Sequence, residues 1–299
     1  MLQRLGECLK QEQIYIDAPM KKYTTFKIGG PADILLKPET NEELASILKI
    51  CSDEKVPYYI IGNGSNLLVS DEGYRGIIIQ IYRQFESISV KYDIIHAKAG
   101  ALLAKIASAA AKKELTGMEF AHGIPGTLGG GIMMNAGAYG GELKDIIVSC
   151  KVMTKEGKIL TLSNEELELG YRTSIIEKED YIVLEATLKL TKGNEKDILD
   201  KMKDYSGRRK DKQPLDKPSA GSTFKRPEGN FAGKLIMDSE LRGFKVGGAK
   251  VSDKHCGFVV NEEEATAEDV LELIKEVQKV VNDRYQIMLE PEVKMLGFE

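Results

Sequence analysis

The feature that most restricts this chain is where its glycines fall. Of 299 residues, 29 are glycine, against roughly 7% in an average protein, and they crowd into a few polar stretches. Gly62-Asn63-Gly64-Ser65-Asn66-Leu67 follows the apolar run Tyr58-Tyr59-Ile60-Ile61. Gly123-Ile124-Pro125-Gly126-Thr127-Leu128-Gly129-Gly130-Gly131 leads on to Asn135-Ala136-Gly137-Ala138-Tyr139-Gly140-Gly141. Each glycine costs conformational entropy on folding, so no hydrophobic core needs that density. Close approach of backbone to a large flat or anionic ligand accounts for it. Backbone N–H groups turned inward, with Ser65 and the asparagines as uncharged donors, have the makings of a phosphate cradle. Taken alone, the Gly62 loop is more often a tight strand-to-helix turn. It lacks the Gly-Lys-Ser/Thr of a nucleotide-triphosphate loop and is no complete dinucleotide fingerprint. Two such stretches on separate strand-rich units point to a dinucleotide extended between them.

Composition narrows the partners. Lys plus Arg is 42 and Asp plus Glu is 46, a net charge of −4, which gives no general electrostatic reason to bind nucleic acid or an anionic membrane. No window approaches the apolar length of a transmembrane helix, and Met1-Leu2-Gln3-Arg4-Leu5 opens no secretory signal core. Cys8, Cys51, Cys150 and Cys256 are scattered, which reads as reduced, mostly buried thiols in a cytoplasmic protein. His96, His122 and His255 are equally dispersed, so no metal site is expected.

At about 150 residues per domain, the length suggests roughly two domains. Thr40 to Glu54 reads as a helix with a Thr40/Glu43 capping box and a Leu44, Ile47, Leu48, Cys51 stripe. Tyr58–Ile61 and Ile77–Ile81 read as strands. An Ala-rich helix runs from about Ala101 to Leu115, stopped by Gly117. Val148–Met153 and Lys158–Leu162 read as a hairpin around Glu156-Gly157, and the alternation from Ile182 to Leu190 as a half-buried strand. A polar helix from about Asn194 ends in Arg208-Arg209-Lys210-Asp211-Lys212, and Pro214 and Pro218 beyond it mark a domain boundary. The clearest helix is capped by Thr266, with Val270, Leu273, Ile274, Val277 and Val281 on one face.

Other motifs have plain readings. Arg172, in Gly170-Tyr171-Arg172, would be a solvated turn residue. Ser222, in Ser219-Ala220-Gly221-Ser222-Thr223-Phe224, would be a turn serine, with no His–Asp pair nearby to make it a hydrolase nucleophile. Glu290-Pro291-Glu292-Val293 would be an exposed strand end, and the Arg208–Lys212 cluster a helix C-terminus satisfying its dipole.

In order along the chain, Thr24-Thr25-Phe26-Lys27-Ile28-Gly29-Gly30-Pro31-Ala32, the Gly62 loop, Gly117–Gly130, Asn135–Glu142, Gly170-Tyr171-Arg172, Pro218–Phe224 and Leu289–Val293 closely resemble the UDP-N-acetylenolpyruvoylglucosamine reductase (UDP-N-acetylmuramate dehydrogenase) family. Seven motifs in register over nearly the whole chain are a specific match. The resemblance implies an α+β fold in which two α/β subdomains form an FAD-binding module beside a C-terminal α/β substrate domain. The boundaries it suggests are 1–82, 83–212 and 213–299. The direct run from Gly170 to Ile182 and the short C-terminal part resemble the family's shorter form, which lacks an extra tyrosine-bearing loop over the substrate.

By the same resemblance, FAD is bound with its pyrophosphate held by the Gly62 loop (Ile61, Gly62, Asn63, Gly64, Ser65, Asn66, Leu67), and because that loop offers no nucleophilic His or Cys the link is expected to be non-covalent. The rest of the cofactor is lined by Gly123, Pro125, Gly126, Thr127, Gly129, Gly130, Asn135, Gly137, Ala138 and Tyr139. Arg172, Ser222 and Glu292 fall on the family's catalytic positions, and Tyr171, Lys212, Lys225 and Arg226 are substrate-binding candidates. The implied partners are NADPH, as hydride donor, and UDP-N-acetylglucosamine enolpyruvate, acted on by a monomer in peptidoglycan precursor synthesis. Two other readings stand beside this one: an FAD oxidoreductase or oxidase acting on another substrate, and a flavin- or nucleotide-binding module without turnover. The combination of Arg172, Ser222 and Glu292 argues against the oxidase, which needs no proton donor at that place.

Overall fold

In the computed structural model, which describes residues 1–298, the helix expected after Thr40 forms as α1 (Asn41–Glu54). Thr40 Oγ1 accepts the Glu43 N–H at 3.1 Å, and Leu44, Ile47, Leu48 and Cys51 are buried. Only half of the capping box is present. The Glu43 carboxylate accepts instead from the Glu39 N–H at 2.6 Å and Gln13 Nε2 at 2.9 Å, which fastens the helix start to the preceding chain.

Strands β1 (Ile14–Pro19), β2 (Pro31–Leu36), β3 (Tyr58–Ile61) and, after an intervening β4 (Leu67–Val69), β5 (Tyr74–Gln80) build a sheet of order β1-β2-β5-β3. β3 and β5 are parallel, Tyr58 opposite Ile77. Ile77, Ile78 and Ile79 are fully buried, as a parallel strand covered on both faces requires. An antiparallel five-stranded sheet follows, built from β6 (Ile88–Lys91), β7 (Ile94–Lys98), β8 (Ile147–Met153), β9 (Ile159–Ser163) and β10 (Ile182–Lys189). Its order is β9-β8-β10-β7-β6. The expected β8–β9 hairpin closes with Met153 opposite Ile159.

The Ala-rich helix α2 (Leu103–Ala111) stops earlier than its composition suggests, because Leu115-Thr116 pairs with Thr191-Lys192 instead. Inside the second glycine stretch, α3 (Leu128–Met133) is helical, with Thr127 Oγ1 accepting the Gly130 N–H at 3.4 Å. The polar helix is α4 (Glu195–Lys212).

The rest of the chain adds β11 (Ser219–Ser222), α5 (Ala232–Asp238), β12 (Lys245–Val246), β13 (Ala249–Val251), β14 (Phe258–Asn261), α6 (Ala267–Tyr285) and β15 (Lys294–Leu296). β11-β14-β13-β12 is one sheet. α6 buries Val270, Leu273, Ile274, Val277 and Val281 in a core with Ala249, Val251 and Val259. Its first turn is completely capped. Thr266 and Asp269 form a reciprocal box, while the Asp71 carboxylate accepts the Ala267 N–H at 2.9 Å and the Glu268 N–H at 3.1 Å. β15 runs parallel to β4, Lys294 opposite Leu67.

Two compact units result. The first is Met1–Tyr15, Ile34–Asn63 and Gly76–Arg208; the second is Ile16–Asp33, Gly64–Arg75 and Arg209–Glu299. The chain passes between them inside the Gly62 loop, so that Gly62 and Asn63 belong to the first unit and Gly64, Ser65 and Asn66 to the second. Ile16–Asp33 and Gly64–Arg75, which the sequence places in 1–82, cluster with the C-terminal residues.

Candidate active site

The first unit contains a cavity of about 820 Å³, well within the size range of cofactor pockets. Its lining includes Ile61, Gly62, Thr127, Gly129 and Gly130 from the glycine stretches, with Tyr58, Tyr59, Ala99, Ile182 and Val183 from the strands. Two glycines in it differ in what they answer to. A Cβ on Gly62 would lie 2.3 Å from Thr127 Oγ1, so the protein itself demands glycine there. A Cβ on Gly130 would meet nothing nearer than Thr127 Oγ1 at 3.6 Å. Gly130 is exposed and in a helix, where glycine is a poor choice. Neither packing nor helix propensity therefore calls for glycine at this position.

The two glycine stretches are joined within this unit, since Asn63 Nδ2 donates to the Pro125 carbonyl at 2.7 Å. Asn135, buried at a φ of +44°, uses both ends of its side chain. Its Oδ1 accepts the Lys144 N–H at 2.9 Å, and its Nδ2 donates to the Gly170 carbonyl at 3.2 Å. Gly170 and Thr173 bridge across the turn that carries Arg172, and Ser174 Oγ donates to the Met133 carbonyl at 2.7 Å. Arg172 (φ +54°) is thus held on a turn sewn to the end of α3 and lies over the exposed Tyr171 ring, 5.2 Å from its centroid. Gly137-Ala138 pairs with Gly141-Glu142, and the tip residue Tyr139 stacks on Tyr205 at 4.4 Å between centroids.

In the second unit the serine stretch is a strand, not the turn its composition suggests. β11 ends at Ser222, opposite Phe258 of β14. Glu292 lies on the neighbouring backbone: its N–H donates to the Thr223 carbonyl at 2.8 Å, and Lys225 N–H to the Glu290 carbonyl at 2.8 Å. The glycine loop's second half joins the same patch. Asn66 Nδ2 donates to the Glu292 carbonyl at 3.0 Å, and the Lys294 N–H to the Asn66 carbonyl at 3.1 Å. Leu67 is buried in β4. Lys212 is exposed at the end of α4. Lys225 is ion-paired with Glu290, and Arg226 lies 4.3 Å over the Phe231 ring.

An FAD-binding-domain family model matches residues 32–163, and a model described as the UDP-N-acetylenolpyruvoylglucosamine reductase C-terminal domain matches 213–296. A UDP-N-acetylenolpyruvoylglucosamine reductase of Lachnoclostridium phytofermentans is 52% identical over 301 residues, covering 99% of this chain and 97% of the relative. One from Clostridioides difficile is 53% identical over 289 residues, 97% of this chain and 95% of the relative. The chain belongs to the UDP-N-acetylenolpyruvoylglucosamine reductase family. A crystal structure titled UDP-N-acetylenolpyruvylglucosamine reductase, from Thermus caldophilus, superimposes with a TM-score of 0.82 at 37% identity, covering 95% of this chain and 98% of that one.

Membership in the reductase family makes the chain an FAD-dependent oxidoreductase, and the α+β fold expected from the resemblance is the one found. Among the described residues, no helix is long and apolar enough to cross a membrane. The motifs that mark the reductase family show the two glycine stretches but not the strand residues Tyr58, Tyr59, Ala99, Ile182 and Val183 that complete the cavity. Their sequence signal is only that of ordinary strands.

Proposed function

We propose that this reductase converts UDP-N-acetylglucosamine enolpyruvate to UDP-N-acetylmuramate with NADPH as reductant, a step of cytoplasmic peptidoglycan precursor synthesis. One observation carries the reading: Ser222, Glu292 and the Asn66 end of the glycine loop are gathered in one hydrogen-bonded patch of the second unit. FAD, when bound, would supply the hydride chemistry that joins NADPH to the terminal carbon of the enolpyruvyl double bond. Negative charge then grows toward the enolpyruvyl carboxylate, where the Arg172 guanidinium and a protonated Glu292 would stabilise it. Ser222 Oγ–H gives its proton to the adjacent carbon. A serine is a weak acid in water, but an enolate at hydrogen-bond distance is a strong base. Lys212 and Arg226, with Tyr171, are assigned to the UDP moiety, where cations favour the diphosphate. Lys225 joins them by exchanging Glu290 for phosphate. Anaerobic addition of NADPH should bleach the yellow protein, and the enolpyruvyl substrate should restore the colour. Bleaching without substrate-dependent recovery would point to another oxidisable partner, and a colourless protein to a module without flavin.

The two cavity glycines give a paired test of FAD placement. Gly130→Ala should leave the apoprotein as stable or up to about 1 kcal/mol more so, since alanine is the better helix former. Its affinity for FAD should fall. Gly62→Ala should instead destabilise the apoprotein by about 1–3 kcal/mol through the Thr127 clash. Denaturant melts and flavin titration of the apoproteins separate the two, and an unchanged FAD affinity in Gly130→Ala would remove the cofactor from that wall.

The cofactor should also be free of any covalent link. Cys51 lines the cavity, but burial pushes its thiol up to about 11, so the thiolate that attachment requires is suppressed. Denaturation and filtration should release all the yellow colour. Colour retained on the protein would implicate His122, whose Nδ1 is buried without a hydrogen-bond partner among the described residues.

A further inference from the structure

Thr24-Thr25-Phe26 opens the first of the motifs shared with the family, yet the reaction as described gives it no task. Within the second unit it touches both the glycine loop and β11. The Thr25 N–H donates to the Gly64 carbonyl at 3.1 Å. A Cβ on Gly64 (φ +62°) would stand 2.0 Å from the Tyr23 carbonyl oxygen, so the loop lies flush against this segment. Thr25 Oγ1 donates to the Ser219 carbonyl at 2.7 Å. The Phe26 carbonyl accepts from Asn261 Nδ2 at 3.3 Å, and the Phe26 and Ile28 side chains are buried. One residue therefore couples the glycine loop to the start of β11, through its amide on one side and its hydroxyl on the other.

Beyond Ser219 the strand departs from regular pairing. Ser219 lies opposite Val260 and Ser222 opposite Phe258, so three steps along β11 match two along β14. The extra residue makes a β-bulge, a device that re-aims side chains and is common beside active sites. Gly221 adopts a φ of +80° in it, and a Cβ there would meet nothing within 4 Å. Backbone conformation, not space, selects that glycine. In a regular strand Ser219 and Ser222 would lie on opposite faces, because side chains alternate. Here they share the face of Val260 and Phe258, while Ala220 and Val259 pack in the α6 core. The bulge thus turns Ser222 away from apolar packing, and Thr25 Oγ1 holds the end from which the bulge starts.

We propose that Thr25 is a positioning residue for proton delivery: its hydroxyl holds Ser219 beside the glycine loop and so sets the aim of Ser222 across the Gly221 bulge. The proposal rests on the proton-donor role given to Ser222 above. Thr25 acts through Ser222 and needs no contact with the reacting atoms. Its bond to Gly64 is main-chain, so loss of the hydroxyl frees the strand without freeing the loop. A misplacement of about 1 Å at a reacting group can cost about 10²-fold in rate.

Thr25→Val matches the side chain in shape, removes the donor and keeps the N–H to Gly64, whereas Thr25→Ser keeps the hydroxyl. In flavin-loaded enzyme, Thr25→Val should slow reoxidation by the enolpyruvyl substrate by about ten- to a hundredfold, with bleaching by NADPH within about twofold of wild type. The affinity of its apoprotein for FAD should stay within a few-fold. Thr25→Ser should recover most of the lost rate. In a Ser222→Ala background Thr25→Val should add no further slowing, because the group it aims is gone. Gly221→Ala strains the bulge directly and should slow the same half-reaction, which provides the test where Thr25→Val folds poorly. Full-rate reoxidation in a folded Thr25→Val would overturn the proposal. Equal slowing of both half-reactions, no recovery in Thr25→Ser, or slowing that adds to that of Ser222→Ala would each do the same and mark a structural residue. If Ser222→Ala itself reoxidises at the wild-type rate, the proton-donor role falls and this proposal with it. If Ser222→Ala slows and Thr25→Val does not, only the part given to Thr25 falls.

Discussion

Ser222→Ala should be yellow, folded and bleached by NADPH at close to the wild-type rate, while its reoxidation by the enolpyruvyl substrate slows by several orders of magnitude. The backbone of Ser222 is what pairs with Phe258, and alanine leaves that pairing intact. A merely structural hydroxyl would instead cost about 1 kcal/mol of stability and little activity. Only the half-reaction that needs a proton at carbon is exposed to the loss. Ser222→Cys should recover part of it, since a thiol donates from nearly the same place. Stopped-flow traces of the two halves decide the matter: equal slowing of both would refute the proton-donor role, and unchanged rates would reduce Ser222 to a strand residue.

Glu292→Gln, which removes the carboxyl's acidic proton, and Arg172→Gln, which removes a cation, should each reduce turnover by a factor on the order of 10²–10³, the range for losing one preorganised stabiliser of developing charge. Glu292→Gln keeps the contacts that hold the segment. The N–H to the Thr223 carbonyl and the carbonyl that accepts from Asn66 are both main-chain. Arg172→Gln likewise keeps a turn held by Gly170–Thr173 bridging and by Asn135. Flavin content and the NADPH half-reaction should therefore survive in both variants. Loss of flavin in either would mark that residue as part of the scaffold.

How far the sequence speaks depends on whether a signal is local. Thr266 with Asp269, and Thr40 with the Leu44–Cys51 stripe, announce their helices because cap and apolar face lie within a few residues. The helix Leu128–Met133 is hidden because three of its six residues are glycine, the weakest helix former after proline. Its one local sign is the Thr127 cap. Glu43 looks like a capping-box partner, but Gln13 and Glu39 recruit its carboxylate, a tertiary choice no nearby spacing records. The Ser222 stretch, four residues with a glycine among them, shows no alternation and becomes a strand only because Phe258–Asn261 lies beside it.

The parallel pairing of Leu67–Val69 with Lys294–Leu296 bears on the chain's own synthesis. Translation delivers the N-terminal sheets first, yet Asn66 gains its partners, the Glu292 carbonyl and the Lys294 N–H, only from residues made 226 and 228 positions later. Asp71 likewise waits for Ala267 and Glu268 before it has amides to cap. The far end of the glycine loop is therefore closed last, however early its near end has formed. The order of synthesis and the order of loop closure are thereby linked, because the partners of Asn66 follow it by 226 and 228 positions.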